Sequence, residues 1–170
     1  MSELRTNRII PRDGLVSGAS GGVVQVVHTK RTTSLTTTSQ TYIDFMTASI
    51  TPTRSDSKIL VSFGLFAGTN NDINHVYAAI FRDSTEIGSA TDTGSRSGAS
   101  AVYSNSTQQQ HFGGNEFLDS PSSTSAITYR IKVRTSNTQI AYFGRSARDH
   151  NSAAYDGRSS SFLTLMEVSG

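Results

Sequence analysis

The chain is predicted to be all-β: an antiparallel two-sheet sandwich, jelly-roll-like, with an extended N-terminal arm. Three observations predict it. No long segment repeats apolar residues at helical spacing, alternation with the two-residue period of a strand recurs along the chain, and serine, threonine and glycine fill the stretches between. About eight or nine short strands joined by polar turns fit two packed sheets.

The chain opens with Leu4-Arg5-Thr6-Asn7-Arg8-Ile9-Ile10-Pro11-Arg12-Asp13-Gly14 and passes through Ser17-Gly18-Ala19-Ser20-Gly21-Gly22. Its apolar residues, Leu4, Ile9, Ile10, Leu15 and Val16, gain at most about 1.5–3 kcal/mol each on burial. Fixing the backbone costs about 1–2 kcal/mol per residue. Alone, this arm does not hold one shape, so another copy of the chain or a larger assembly is expected to pin it. Residues 1–22 therefore read as an anchoring arm and Gly-rich hinge, and residues 23–170 as the head.

In the head, Val23, Val24, Val26 and Val27 open a β-branched strand ending near Arg31, and Thr32–Thr41 reads as a polar bridge. Tyr42–Ile50 is a strand stopped by Pro52. Lys58–Ala67 places Ile59, Val61, Phe63 and Leu65 on one face. His75–Arg82 is rich in β formers, and Asp83-Ser84 is the tip of a hairpin returning through Glu86–Ser89. Thr91–Gly114 reads as a surface loop around a short strand at Ala99–Tyr103. Ile127, Tyr129, Ile131 and Val133 alternate strictly with Thr128, Arg130, Lys132 and Arg134, which makes this the clearest strand. Ser136-Asn137 is a turn, Gln139–Gly144 a partner strand, Arg145–Arg158 a polar loop and Ser161–Val168 a closing strand.

A length of 170 residues suits one domain with an adequate core. With no cysteine there is no disulfide framework and no thiolate site or nucleophile. The longest apolar run, Ile59–Ala67, falls far short of a membrane span of roughly 18 residues. The charged N-terminus does not resemble a secretory signal, so a soluble chain made in the cytoplasm without membrane insertion is expected. The net charge is only +2, and the arginines are scattered among acids rather than gathered into a stripe, so nucleic acid is not an expected partner. Arginine, with its rigid fork of donors, suits paired contacts at subunit boundaries.

Several patterns point to chemistry and then withhold it. Gly18-Ala19-Ser20-Gly21-Gly22 matches the G-x-S-x-G elbow of serine hydrolases, yet an elbow needs a helix after its serine and here a strand follows. His28, His75, His111 and His150 are widely separated and lack the spacing of a helical metal pair. Asn70, Asn71, Asp72 and Asn74 offer oxygen ligands without the rest of a calcium loop. Asp83, Asp119 and Glu116 invite comparison with a glycosidase carboxylate pair; Asp83 and Asp119 read more simply as turn residues bonding their own backbone. No enzyme, metal or cofactor is expected. A stand-alone carbohydrate-binding β-sandwich module is the alternative. With no tryptophan, stacking on sugars falls there to Tyr103, Phe112, Tyr142 or Tyr155.

The opening Leu4–Gly14 with its Gly-rich joint is followed in order by three further signatures. These are Phe81-Arg82-Asp83-Ser84, then Leu118-Asp119-Ser120-Pro121 ahead of Tyr129-Arg130-Ile131-Lys132, and last Leu163-Thr164-Leu165-Met166-Glu167-Val168. Together they resemble a family of small phage virion proteins. Its members are seen in marine and freshwater phages, including cyanophages, and are labelled tail-fibre or structural proteins. The layout of the head is similar to the trimeric jelly rolls of fibre knobs and complement-like heads.

The resemblance implies a non-enzymatic virion component, homotrimeric and attached through its arm to other virion proteins of the tail or capsid. Lacking shaft repeats, the chain fits a short fibre, a knob, or a cement or decoration protein. Leu4, Arg5, Arg8, Ile9, Ile10, Pro11 and Arg12 are the expected anchoring residues. An attachment role places contacts to a host surface glycan on loops Thr69–Asn74, Thr91–Gly98, Thr107–Gly114 and Arg148–Gly157. Candidates there are Asn70, Asn71, Asp72, Tyr103, Phe112 and Tyr155.

Overall fold

The computed structural model describes residues 22–70, 75–91, 94–104, 111–151 and 156–170, without the side chains of 102–104 and 111. The described residues form eleven strands. These are β1 (Val23–Arg31), β2 (Leu35–Thr37), β3 (Ile43–Ile50), β4 (Lys58–Thr69), β5 (His75–Arg82), β6 (Thr85–Ile87), β7 (Ala101–Ser104), β8 (His111–Asp119), β9 (Ile127–Thr135), β10 (Ala141–Phe143) and β11 (Ser161–Val168).

Three pairs of these segments are single strands with interruptions. β10 and β11 lie end to end along β4, Ala141–Phe143 against Thr69–Ala67 and Phe162–Val168 against Gly64–Lys58. β1 and β2 flank them in the same way, and β6 and β7 share one side of β5. Eight lanes result, in two antiparallel four-stranded sheets. The first sheet runs β1/β2, β10/β11, β4, β8; the second runs β3, β9, β5, β6/β7. In chain order these lanes are 1-8-3-6 and 2-7-4-5, the connectivity of a double-sheet jelly roll, as the alternation predicted.

The two long interruptions begin alike. Gly88 (φ 68°) follows β6 and Gly144 (φ 73°) follows β10, both in the left-handed region that glycine enters without a Cβ penalty. A side chain at Gly88 would also meet the Phe117 ring at 2.8 Å.

The core lies between the sheets. Ile59, Val61, Phe63, Leu65, Leu163 and Leu165 from the first pack against Val76, Ile80, Tyr129, Ile131 and Val133 from the second. β9 and β11 alternate buried and part-buried residues along their whole length. In β3 a bulge between Asp44 and Met46 turns two consecutive residues, Phe45 and Met46, into the core.

One end of this core is closed by two buried carboxylates in the same cross-strand row, since Glu167 and Asp119 flank Ile59. Asp119 accepts from Arg82 Nη1 (2.9 Å) and the Tyr129 hydroxyl (2.6 Å), joining the first sheet to the second. Burial and the Asp119 bond push the Tyr129 hydroxyl well above its ordinary range, so it remains a donor. Glu167 accepts from Gln25 Nε2 (2.6 Å) and from the Thr53 amide and hydroxyl (2.7 Å each). Burial opposes its charge, but these bonds outweigh burial and hold the carboxyl below the usual range.

Three expectations are corrected here. The Thr32–Thr41 bridge contains β2, a short outer strand on β10. His111–Gly114, read as loop, begins the nine-residue β8, which pairs with β4 from Ala67 to Ile59. Asp119 is a buried ion-pair partner rather than a turn residue. Asp83 does sit at a hairpin tip (φ 53°), but it bonds Thr128 of β9, not its own backbone.

Glu167→Ala removes the buried acceptor shared by Gln25 and the Thr53 amide and hydroxyl, and is expected to cost about 1–3 kcal/mol in urea unfolding at neutral pH. Because the folded carboxyl is depressed, its stabilisation is present above the unfolded value near 4.3 and lost as pH falls through the folded one. Unfolding midpoints from pH 7 to pH 3 should therefore converge between wild type and Glu167→Ala, and a gap that persists in acid contradicts the assignment.

Candidate functional site

The register of the first sheet composes an outer face that the sequence does not announce. Across its four strands, Val26, Met166, Leu60 and Leu118 form one unbroken apolar row. The next row is polar: His28, Thr164, Ser62 and Glu116. Beyond it lie Lys30, Phe162, Gly64 and Gly114, and then Phe66 beside Phe112. The edge residues stand well out, with Val26 54%, Leu118 48% and Phe112 58% exposed.

The two glycines shape this face. A Cβ on Gly64 would lie 2.6 Å from the Phe162 ring and 2.7 Å from the Phe112 ring, so both rings fold down over bare backbone. A Cβ on Gly114 would meet the Phe63 carbonyl oxygen of β4. Between the rings is a shallow depression of about 440 Å³, bordered by Asn115 and Glu116. Phe66 packs on Phe112 at 5.1 Å and His28 stacks on Phe162 at 6.3 Å.

The outer face of the second sheet is different. Lys132 lies over Phe81 (4.7 Å), and Arg134 lies over Tyr77 (4.2 Å) and Tyr42 (5.2 Å). Asp44 meets Lys132 at 3.4 Å and Arg130 at 3.7 Å. Its aromatic surface is thus roofed by the chain's own cations, whereas among the described residues no cation lies over Phe112 or Phe162 of the first sheet.

The polar excursion between β10 and β11 is held by arginine forks. Asp156 pairs with Arg148 (2.8 Å) and accepts from Ser146 Oγ and the His150 amide. The Arg148 fork is the main reason its carboxyl sits below the ordinary range. Asp149 pairs with Arg158 (2.8 Å), and Arg145 stacks on Tyr142 (4.4 Å), which bounds the apolar face at that end.

The predicted site residues are distributed unevenly. Leu4, Arg5, Arg8, Ile9, Ile10, Pro11, Arg12, Asn71, Asp72 and Tyr155 lie outside the described residues, as does most of the G-x-S-x-G stretch, which leads into strand β1 rather than a helix. Asn70 ends next to β4, where its Oδ1 accepts from the Ile140 amide. Tyr103 is on β7, and Phe112 is on β8 facing outward. Glu116 and Asp119 point to opposite faces of β8, so they do not converge as a catalytic pair. Among the described residues no group of three His, Asp or Glu is placed to hold a metal ion. No helix among them is long and apolar enough to cross a membrane.

No family model matches the chain and no curated protein is similar to it. Solved structures of infectious bursal disease virus align with 98% of the chain. The Gx strain shows 12% identity and a TM-score of 0.49 over 42% of the viral chain. The Gt strain shows 13% and 0.49 over 43%, and the T=1 particles derived from that virus 13% and 0.49 over 41%. The chain thus spans less than half the length of these proteins, and so distant a likeness carries no activity or partner across.

Gly114→Ala is expected to cost about 1–3 kcal/mol, because the added methyl forces β8 away from the β4 backbone. Thermal unfolding checks it, and an unchanged midpoint would contradict the close approach.

Proposed function

We propose that the chain is a non-enzymatic surface structural protein of a phage particle, either a short tail fibre or knob or a capsid cement or decoration protein. It works as a homotrimer anchored through residues 1–22, with the head of residues 23–170 outward and contributing to host attachment. One observation carries the reading: among the described residues the first sheet exposes an apolar row, Val26 to Leu118, near Val23, where the arm joins and which is itself 56% exposed. Exposed apolar residues aligned in a row across a sheet, with Phe112 and Phe162 beyond a polar row, mark an assembly surface.

The fold alone does not choose, because capsid proteins, lectins and cupins share the jelly roll. The particle reading is supported by the ordered sequence signatures, which fall on the β5–β6 hairpin, the end of β8, β9 and β11. An anchoring arm is of use to a particle component and of little use to a free-standing sugar-binding module. The partners of this reading are further copies of the chain and other virion proteins. It involves no cofactor, nucleic acid or membrane insertion, and its location after synthesis in the host cytoplasm is the virion.

Replacing Ile9 and Ile10 together by Asp should abolish incorporation into purified particles while leaving the head's unfolding transition unchanged. Particles that still carry the normal amount of the variant, measured by quantitative blotting, would end the anchoring proposal.

A further inference from the structure

We infer that the outer face of the first sheet packs against a second copy of this chain about an axis parallel to its strands, the β1 side of one copy meeting the β8 side of the next. This rests on the assembly reading above and adds which surface is used, in which orientation and at which register.

Charge and apolar surface are divided between the two margins of the face. The β1 margin carries Val26, His28 and Lys30; the β8 margin carries Leu118, Glu116 and Gly114. Val26 shares a row with Leu118, His28 with Glu116, and Lys30 with Gly114. Rotation about an axis along the strands keeps every row at its own height. Val26 of one copy then meets Leu118 of the next, and Glu116 arrives at the level of His28 with Lys30 one row away. Lys30 of one copy then arrives at the level of Gly114 of the next, which borders the depression. An axis across the strands through the middle of the face instead reverses the order of the rows, so that the Val26–Leu118 row meets the Phe112 row, which sacrifices this matching.

Size agrees with the assignment. Four strands about 4.8 Å apart and nine residues of about 3.4 Å rise give a footprint of roughly 600 Å² before side-chain relief is counted. In a dimer that whole footprint lies in one contact, somewhat below the roughly 800 Å² per partner of a standard interface, and in a ring it is divided between two neighbours. The second sheet is the poorer candidate, since docking there would strip water from Arg130, Lys132 and Arg134. With a two-fold axis this pairing makes a closed isologous dimer; with a smaller rotation it is heterologous and closes into a ring when the rotation per copy divides the circle.

The test uses the full chain in light scattering coupled to gel filtration, with unfolding monitored in parallel. Wild type is expected as a trimer. Leu118→Lys, at an exposed position, should leave the unfolding of the head intact and weaken association more than about a hundredfold. Lys30→Glu and Glu116→Lys should each weaken it about tenfold, and the double variant should recover most of that loss. If Leu118→Lys keeps the wild-type mass, or the double reversal associates no better than the singles, this interface is wrong while the trimer stands. A wild type that is monomeric at high concentration overturns both, as it does if residues 1–22 cover the face of their own head. A wild-type dimer broken and rescued by the same substitutions supports the interface and ends the trimer.

Discussion

Everything in this head depends on the register of β4. It pairs with β8 on one side and with β10 and β11 on the other along nearly all of its length, so both neighbours take their alignment from it. Because the strand period is two, placing Ile59, Val61, Phe63, Leu65 and Ala67 inward also places Leu60, Ser62, Gly64 and Phe66 outward. The outer face is therefore the necessary complement of the core. A slip of one residue would exchange the two sets, and the burial of the inner set opposes this with most of the hydrophobic free energy of the first sheet.

The paired carboxylates make that slip costlier still. Buried ions cost several kcal/mol each unless they are well paired, so they are weak evidence of net stability. Their geometry is nevertheless specific to one alignment. If β11 slid by one residue, Glu167 would turn outward and take away the acceptor of the Thr53 amide and hydroxyl and one of the two acceptors of Gln25 Nε2. If β8 slid, Arg82 and Tyr129 would lose Asp119. The alternating apolar side chains mark the face that each strand turns inward, and these two groups mark the alignment at the end of the sheet where β4 begins.

Where a strand's own alternation sets its structure, the sequence was legible. Ile127–Thr135 and Lys58–Ala67 fold as read, and so do the hairpin at Asp83 and the closing strand. β8 was hidden because its composition answers to its neighbours: Gly113 and Gly114 are poor strand formers, and Gly114 is needed for close approach to Phe63. β2 is only three residues long and is held by β10 from a hundred positions away. Asp119 looked like a turn residue because Ser120-Pro121 follow it, while its partners stand at Arg82 and Tyr129. The apolar row was illegible for the same reason, since Val26, Leu60, Leu118 and Met166 become neighbours only once three strand pairings are known.

The two outer faces differ in what covering them would require. On the second sheet, cationic side chains lie along aromatic rings and keep their charged ends in water, so the surface is apolar beneath and hydrated above. On the first sheet, Gly64 leaves room for the Phe112 and Phe162 rings over its bare backbone, while Phe112 stays 58% exposed. Such a face loses little side-chain entropy when it is covered, because its rings are already held by neighbours. The charges at its margins, Lys30 and Glu116, are better suited to excluding wrong alignments than to adding affinity. Pairing by side-chain rows also avoids the hazard of edge-strand addition, in which backbone hydrogen bonds alone set the register and any other β-edge can compete.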